Sequence, residues 1–135
     1  MSQITPSAEN NFYDGWIQVE GAAHQNGANK GFWATPDQLV ELGVPSLDYA
    51  PHHHNKAEKI ALIHSEVSET LEEIRKKEVE QSEKIPDFTK LEEELADAVI
   101  RIMDLAAAYG YDVAHAIIAK HNYNTTRPFK HGKKF

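Results

Sequence analysis

Two pairs of carboxylates at helical spacing carry the chemical content of this chain. Glu66 and Glu69 stand three residues apart in LIHSEVSETLEEIRK, and Glu94 and Asp97 stand three apart in LEEELADAVIRIMDLA. On an α-helix, residues i and i+3 share a face, so each segment offers two carboxylates to one point. Two such helices packed face to face would gather four. Carboxylates held that close repel one another strongly in a low-dielectric site and need a cation. Ligation by oxygen alone favours a hard divalent ion such as Mg2+ or Mn2+. That chemistry suits an enzyme acting on a phosphorylated substrate.

Each pair also has an ordinary reading. Glu-rich helices are common, and Glu72, Glu73, Glu78, Glu80, Glu92 and Glu93 read as solvated faces. Asp97 differs because LADAVIRIM surrounds it with apolar and small residues. An ionised Asp in such a setting is costly unless a partner neutralises it. Arg101 is the nearest cation on the same face, so a structural Asp97–Arg101 pair competes with a metal. Glu66 is likewise bounded by Ile63 and Val67. Taken alone, the residues leave metal site and ion pair equally open. A di-iron bundle would need Glu-x-x-His on two helices, and neither pair ends in His.

The elements that must position these groups read as helices. Residues 1–9 read as a flexible lead-in. Phe12, Trp16, Val19 and Ala23 follow steps of three and four, predicting a helix from about Asn11 to Asn29. Gly15, Gly21 and Gly27 weaken it. KGFW (Lys30 to Trp33) closes that helix and exposes two aromatics at a turn. Thr35-Pro36-Asp37 starts a short helix, with Thr as N-cap and Pro at the first position, which should stop at Gly43. A loop to Asn55 contains His52, His53 and His54; the triplet reads first as polar loop and only second as a transition-metal site. A long helix should follow from about Lys56 to Glu80, burying Ile60, Ile63, Val67, Leu71 and Ile74. A polar connection over Gln81–Asp87 leads to another helix, Phe88–Tyr109, with Leu91, Leu95, Ala98, Val99, Ile102 and Leu105 inward and Gly110 as its stop. A last helix should run from Asp112 to Tyr123, followed by a basic tail over 124–135. No segment alternates like a strand. The expectation is one all-α domain, with short links favouring antiparallel packing in a bundle.

The bulk numbers narrow the function classes. In 135 residues, 41% are hydrophobic and 26% charged, the profile of a folded domain and not of a disordered one. A net charge of −7 argues against a nucleic-acid-binding surface. The basic end of an otherwise acidic chain suits a small anionic ligand better. Cysteine is absent, which removes thiolate nucleophiles and zinc–thiolate sites. The first residues have neither a basic n-region nor an apolar h-region, and no run reaches membrane-spanning length, so a cytoplasmic protein with no membrane partner is expected.

At Glu66-x-x-Glu69 followed by Glu94-x-x-Asp97, the chain resembles the MazG-type all-α nucleoside triphosphate pyrophosphohydrolases. LIHSEVSE, ELADAVIRIMDLA and KHNYNTTRPFKHGKKF resemble a small single-domain branch found in bacteria and phages, and KGFW is similar to its N-terminal portion. The resemblance covers roughly residues 20–135. Ser65 departs from it, since many members of the wider family carry a further Glu there. The resemblance implies a four-helix bundle core that forms a homodimer or homotetramer. It also implies Mg2+-dependent hydrolysis of a (deoxy)nucleoside triphosphate to the monophosphate and pyrophosphate. Carried over position by position, Glu66, Glu69, Glu94 and Asp97 become metal ligands, and Glu66 or Glu69 would help deprotonate the attacking water. Lys120, Asn124, Arg127, Lys130 and His131 are then the candidate clamp on the phosphates. Trp33, with Phe32 or His24, is the candidate platform for the base. Phosphoribosyl-ATP pyrophosphohydrolase activity is an alternative within the fold, and a non-catalytic helical interaction module with a structural ion is one outside it.

Overall fold

The computed structural model of the chain describes residues 3–41, 43, 56–128 and 132, and among them it is all-helical. Helix α1 spans Pro6–Asn29, α2 Pro36–Glu41, α3 Lys56–Arg75, α4 Lys90–Tyr109 and α5 Val113–Thr125. Four of these are long, α2 is a single short turn, and no strand forms among the described residues. His52, His53 and His54 lie outside the described residues.

Helix α1 starts five residues before its expected start. Thr5 is its N-cap, accepting from the Ala8 N–H, and Pro6 occupies the first turn. This is the same Thr-Pro start that opens α2, where Thr35 accepts from the Gln38 N–H at 3.3 Å. The Ile4 N–H, donating to Asn122 Oδ1 at 3.0 Å, ties the entry of α1 to α5. Residues 6–9 are therefore helical rather than a free lead-in.

Helix α3 ends at Arg75, not near Glu80, because the following residues are taken into a different pairing. Gln81 bridges Thr89 in antiparallel fashion, with Ser82 N–H to Phe88 O at 2.9 Å and Lys90 N–H to Glu80 O at 2.8 Å. Buried Ser82 accepts from the Lys84 and Ile85 N–H groups. The loop delivers the chain straight into a capping box: Thr89 Oγ1 accepts from the Glu92 N–H, and Glu92 accepts from the Thr89 N–H at 2.7 Å. Such a cap contributes about 1 kcal/mol. Gly110, at φ 68°, closes α4 in the left-handed conformation, and the Tyr111 N–H bonds back to Ala106 O.

Helix α4 is the centre of the packing, against α3 on one side and α1 on another, while α5 packs on α1. The buried apolar residues are Ala98, Met103 and Ala106 of α4 with Ala114 and Ile118 of α5. Small residues at the crossing let the helices approach closely. The stripe expected to be inward on α3 is instead open: Val67 is 54% exposed, Leu71 49% and Ile74 63%. Ile60 on the same helix, and Leu95 and Val99 of α4, are also exposed. Among the described residues, no helix is long and apolar enough to cross a membrane.

Candidate carboxylate site and adjoining cavity

The face that α3 turns towards α4 is acidic. Glu66 on α3 and Glu94 and Asp97 on α4 each place a carboxylate oxygen within 4.8 Å of the other two. Three of the four predicted ligands thus converge. Glu69 is exposed and lies outside this group of three, yet it is the foremost of the neighbouring charges acting on Glu94. Ser65 is exposed, with its hydroxyl turned onto the Leu62 carbonyl of its own helix.

Glu94 is only 5% exposed. Burial raises its pKa above the ordinary carboxylate value, and Glu69, Glu93, Asp97 and Glu66 push it further. Asp97 is raised for the same reasons, burial first and then Glu66. A buried acid pressed by acids on several sides favours its neutral form unless a cation compensates it.

Arg101 does form an ion pair, but not with Asp97. Its Nε donates to Glu66 Oε1 at 2.5 Å, across the α3–α4 interface. Glu93, read from sequence as part of a solvated face, is buried; Lys84 Nζ reaches it from the α3–α4 loop at 2.6 Å. That ammonium, with the Ser82 hydroxyl, holds the Glu93 carboxyl below the usual range.

A cavity of about 220 Å³ adjoins the cluster. Glu66, Asp97 and Arg101 line it, and so do Phe32, Trp33 and Lys59. Trp33 and Phe32 of the candidate base platform therefore share one cavity with Glu66 and Asp97 of the candidate metal ligands. His24 meets the indole of Trp33 edge-on at 5.5 Å between ring centroids. The Lys59 ammonium lies 4.2 Å above the same indole and donates to the Phe32 carbonyl at 2.9 Å. Burial lowers the Lys59 pKa, partly offset by the charge of Asp104.

Asp104 is the functional candidate that sequence reading missed. It accepts from Trp33 Nε1 at 2.8 Å and lies 2.7 Å from His24 Nδ1, so one carboxylate orients both rings. Gly27 makes room for it, since a Cβ there would meet Asp104 Oδ2 at 3.2 Å. The signal was present in the sequence. Glu94, Asp97, Arg101 and Asp104 follow steps of three, four and three, a charged stripe along an otherwise apolar helix.

The phosphate clamp is not assembled at this cavity within one chain. Lys120, Asn124 and Arg127 belong to α5 and its exit, and none of them lines the cavity. Lys120 and Arg127 both sit over the Tyr123 ring. Asn124 Oδ1 is buried without a hydrogen-bond partner among the described residues. Lys130 and His131 lie outside the described residues. Comparison of the chain with protein-family models, with curated proteins and with solved structures finds no match, so a functional reading rests on the chain's own residues.

Proposed function

We propose that the chain is a Mg2+-dependent nucleoside triphosphate pyrophosphohydrolase of MazG type, releasing pyrophosphate and the matching monophosphate, and that it works as a homodimer or homotetramer. The observation that carries this reading is the cavity lined both by aromatic rings and by two carboxylates of the converging cluster.

The donor set fits a hard divalent ion: three carboxylates with oxygens within 4.8 Å of one another, two of them on buried residues. Glu66, Glu94 and Asp97 would hold it, with Glu69 at the rim. Bound there, such an ion neutralises charge on phosphate oxygens and makes water more acidic. The chain's own groups supply the rest. Glu66 or Glu69 accepts the proton of the attacking water. Trp33 stacks on the base, its indole held by the Asp104 carboxylate, with Phe32 on the same cavity lining. Lys59 and Arg101 place positive charge on the cavity lining, where a triphosphate needs it. Lys120, Asn124, Arg127, Lys130 and His131 would complete the phosphate clamp from a second copy of the chain, since the three described ones do not line the cavity of their own chain.

Pyrophosphate release from a panel of canonical and modified (d)NTPs, with Mg2+ and with chelator, tests this directly. Metal-dependent release with the matching monophosphate is the expected result. Glu69→Ala and Asp97→Ala should lose turnover while folding as well as the parent, because repulsion between acids is relieved. Full hydrolysis by both variants would remove the site assignment, and silence across the panel would favour a binding module.

A further inference from the structure

The Glu66–Arg101 pair lies inside the carboxylate cluster that the proposed chemistry needs. Arg101 follows Asp97 by four residues and Glu94 by seven, so the three share one face of α4. Its guanidinium nevertheless crosses to α3 and takes Glu66 Oε1. Of the three clustered acids, Glu66 is the one in an ion pair among the described residues.

The pair is unequal in mobility. The Glu66 side chain is 8% exposed and the Arg101 side chain 38%. The acid is held by the helix interface, whereas the base is a long side chain on the wall of an open cavity. A divalent ion drawn to Glu66 and its neighbours would meet this guanidinium at close range, where like charges repel. Glu66 cannot leave, but Arg101 has space to turn into.

We infer that Arg101 is a two-position side chain. It neutralises Glu66 while the cluster lacks a divalent ion, and turns into the cavity, towards an anionic group of a ligand, once the ion is bound. The inference rests on reading the cluster as a divalent-ion site. A guanidinium fork suits a phosphate, which it can engage through two N–H donors. Ion and phosphate binding then reinforce each other, because each favours the same Arg101 position.

Titration calorimetry with Mn2+ alone, on the full chain and its Arg101→Gln variant, reads the first half. Removing the competing cation should tighten Mn2+ binding about tenfold, and in excess Mn2+ it should weaken binding of a methylene-bridged triphosphate analogue about tenfold. Weaker Mn2+ binding in the variant would mean that Arg101 is a fixed orienter of Glu66, and unchanged affinity would mean that the pair is not coupled to the site; either overturns the inference. Should Arg101→Gln fail to fold, Arg101→Lys keeps the charge with a poorer hold on Glu66. Its Mn2+ affinity should exceed the parent's, and equal or lower affinity overturns the inference. If the parent binds Mn2+ and Arg101→Gln binds it more tightly, yet no triphosphate is hydrolysed, the exchange stands and the pyrophosphohydrolase reading falls. A parent that binds no Mn2+ ends both.

Discussion

Lys84 reaches Glu93 from the loop before α4, while Glu94, the next residue, is shifted by burial and by the acids Glu69, Glu93, Asp97 and Glu66. The two carboxyls therefore shift in opposite directions, Glu93 down and Glu94 up. The consequences for stability are opposite as well. A lowered acid contributes stability above its unfolded pKa that is lost as pH falls through its folded value. A raised acid does the reverse: between the unfolded and folded values the native state holds the extra proton, so stability falls as pH rises through that window. In chelator at pH 7, Glu94→Gln should raise the melting temperature and Glu93→Gln should lower it. Thermal unfolding from pH 4 to 8 checks this. The gap between Glu94→Gln and the parent should close towards pH 4, where the parent's Glu94 is itself protonated. A Glu94→Gln protein that melts below the parent at pH 7 would mean that a partner stabilises the ionised Glu94.

Among the elements, α5 has the least settled role. It packs on α1, and its polar residues do not line the cavity. Asn124 keeps a buried oxygen without a partner, and the Lys120 and Arg127 cations rest on Tyr123. If the basic end clamps phosphates, removing it should act on substrate binding and not on the bundle. Ending the chain after Thr126, the C-cap of α5, leaves every described helix intact. The truncated protein should keep its helical circular dichroism and show KM for the triphosphate raised about tenfold or more, as expected when charge-assisted contacts to phosphate are lost. An unchanged KM would assign the tail another task.

At the scale of the whole molecule, apolar surface is left uncovered along α3 and α4. Val67, Leu71 and Ile74 follow each other at helical spacing on α3, and Leu95 and Val99 are open on α4. Apolar surface of this kind is costly in water and is the sort that associating faces carry. A second copy of the chain is the occupant the proposed function requires. Light scattering after size exclusion should give a dimer or tetramer, and Leu71→Asp should shift it towards monomer. A parent that runs as a monomer at all concentrations would remove the oligomer from the proposal.

The helical class, the boundaries at Thr35 and Gly110, and the i, i+3 carboxylate pairs follow from local chemistry, and the sequence by itself determined them. Caps and turns are decided within a few residues, and helical spacing determines which side chains share a face. Tertiary structure decided the rest. The end of α3 depended on a bridge to Thr89, the partner of Arg101 on the neighbouring helix, and the importance of Asp104 on two rings some seventy and eighty residues away. Helical periodicity identified a stripe on α3 but not its neighbour. Whether Val67 and Leu71 are inward depends on how many helices one chain brings to that face, a property of packing that no local pattern contains.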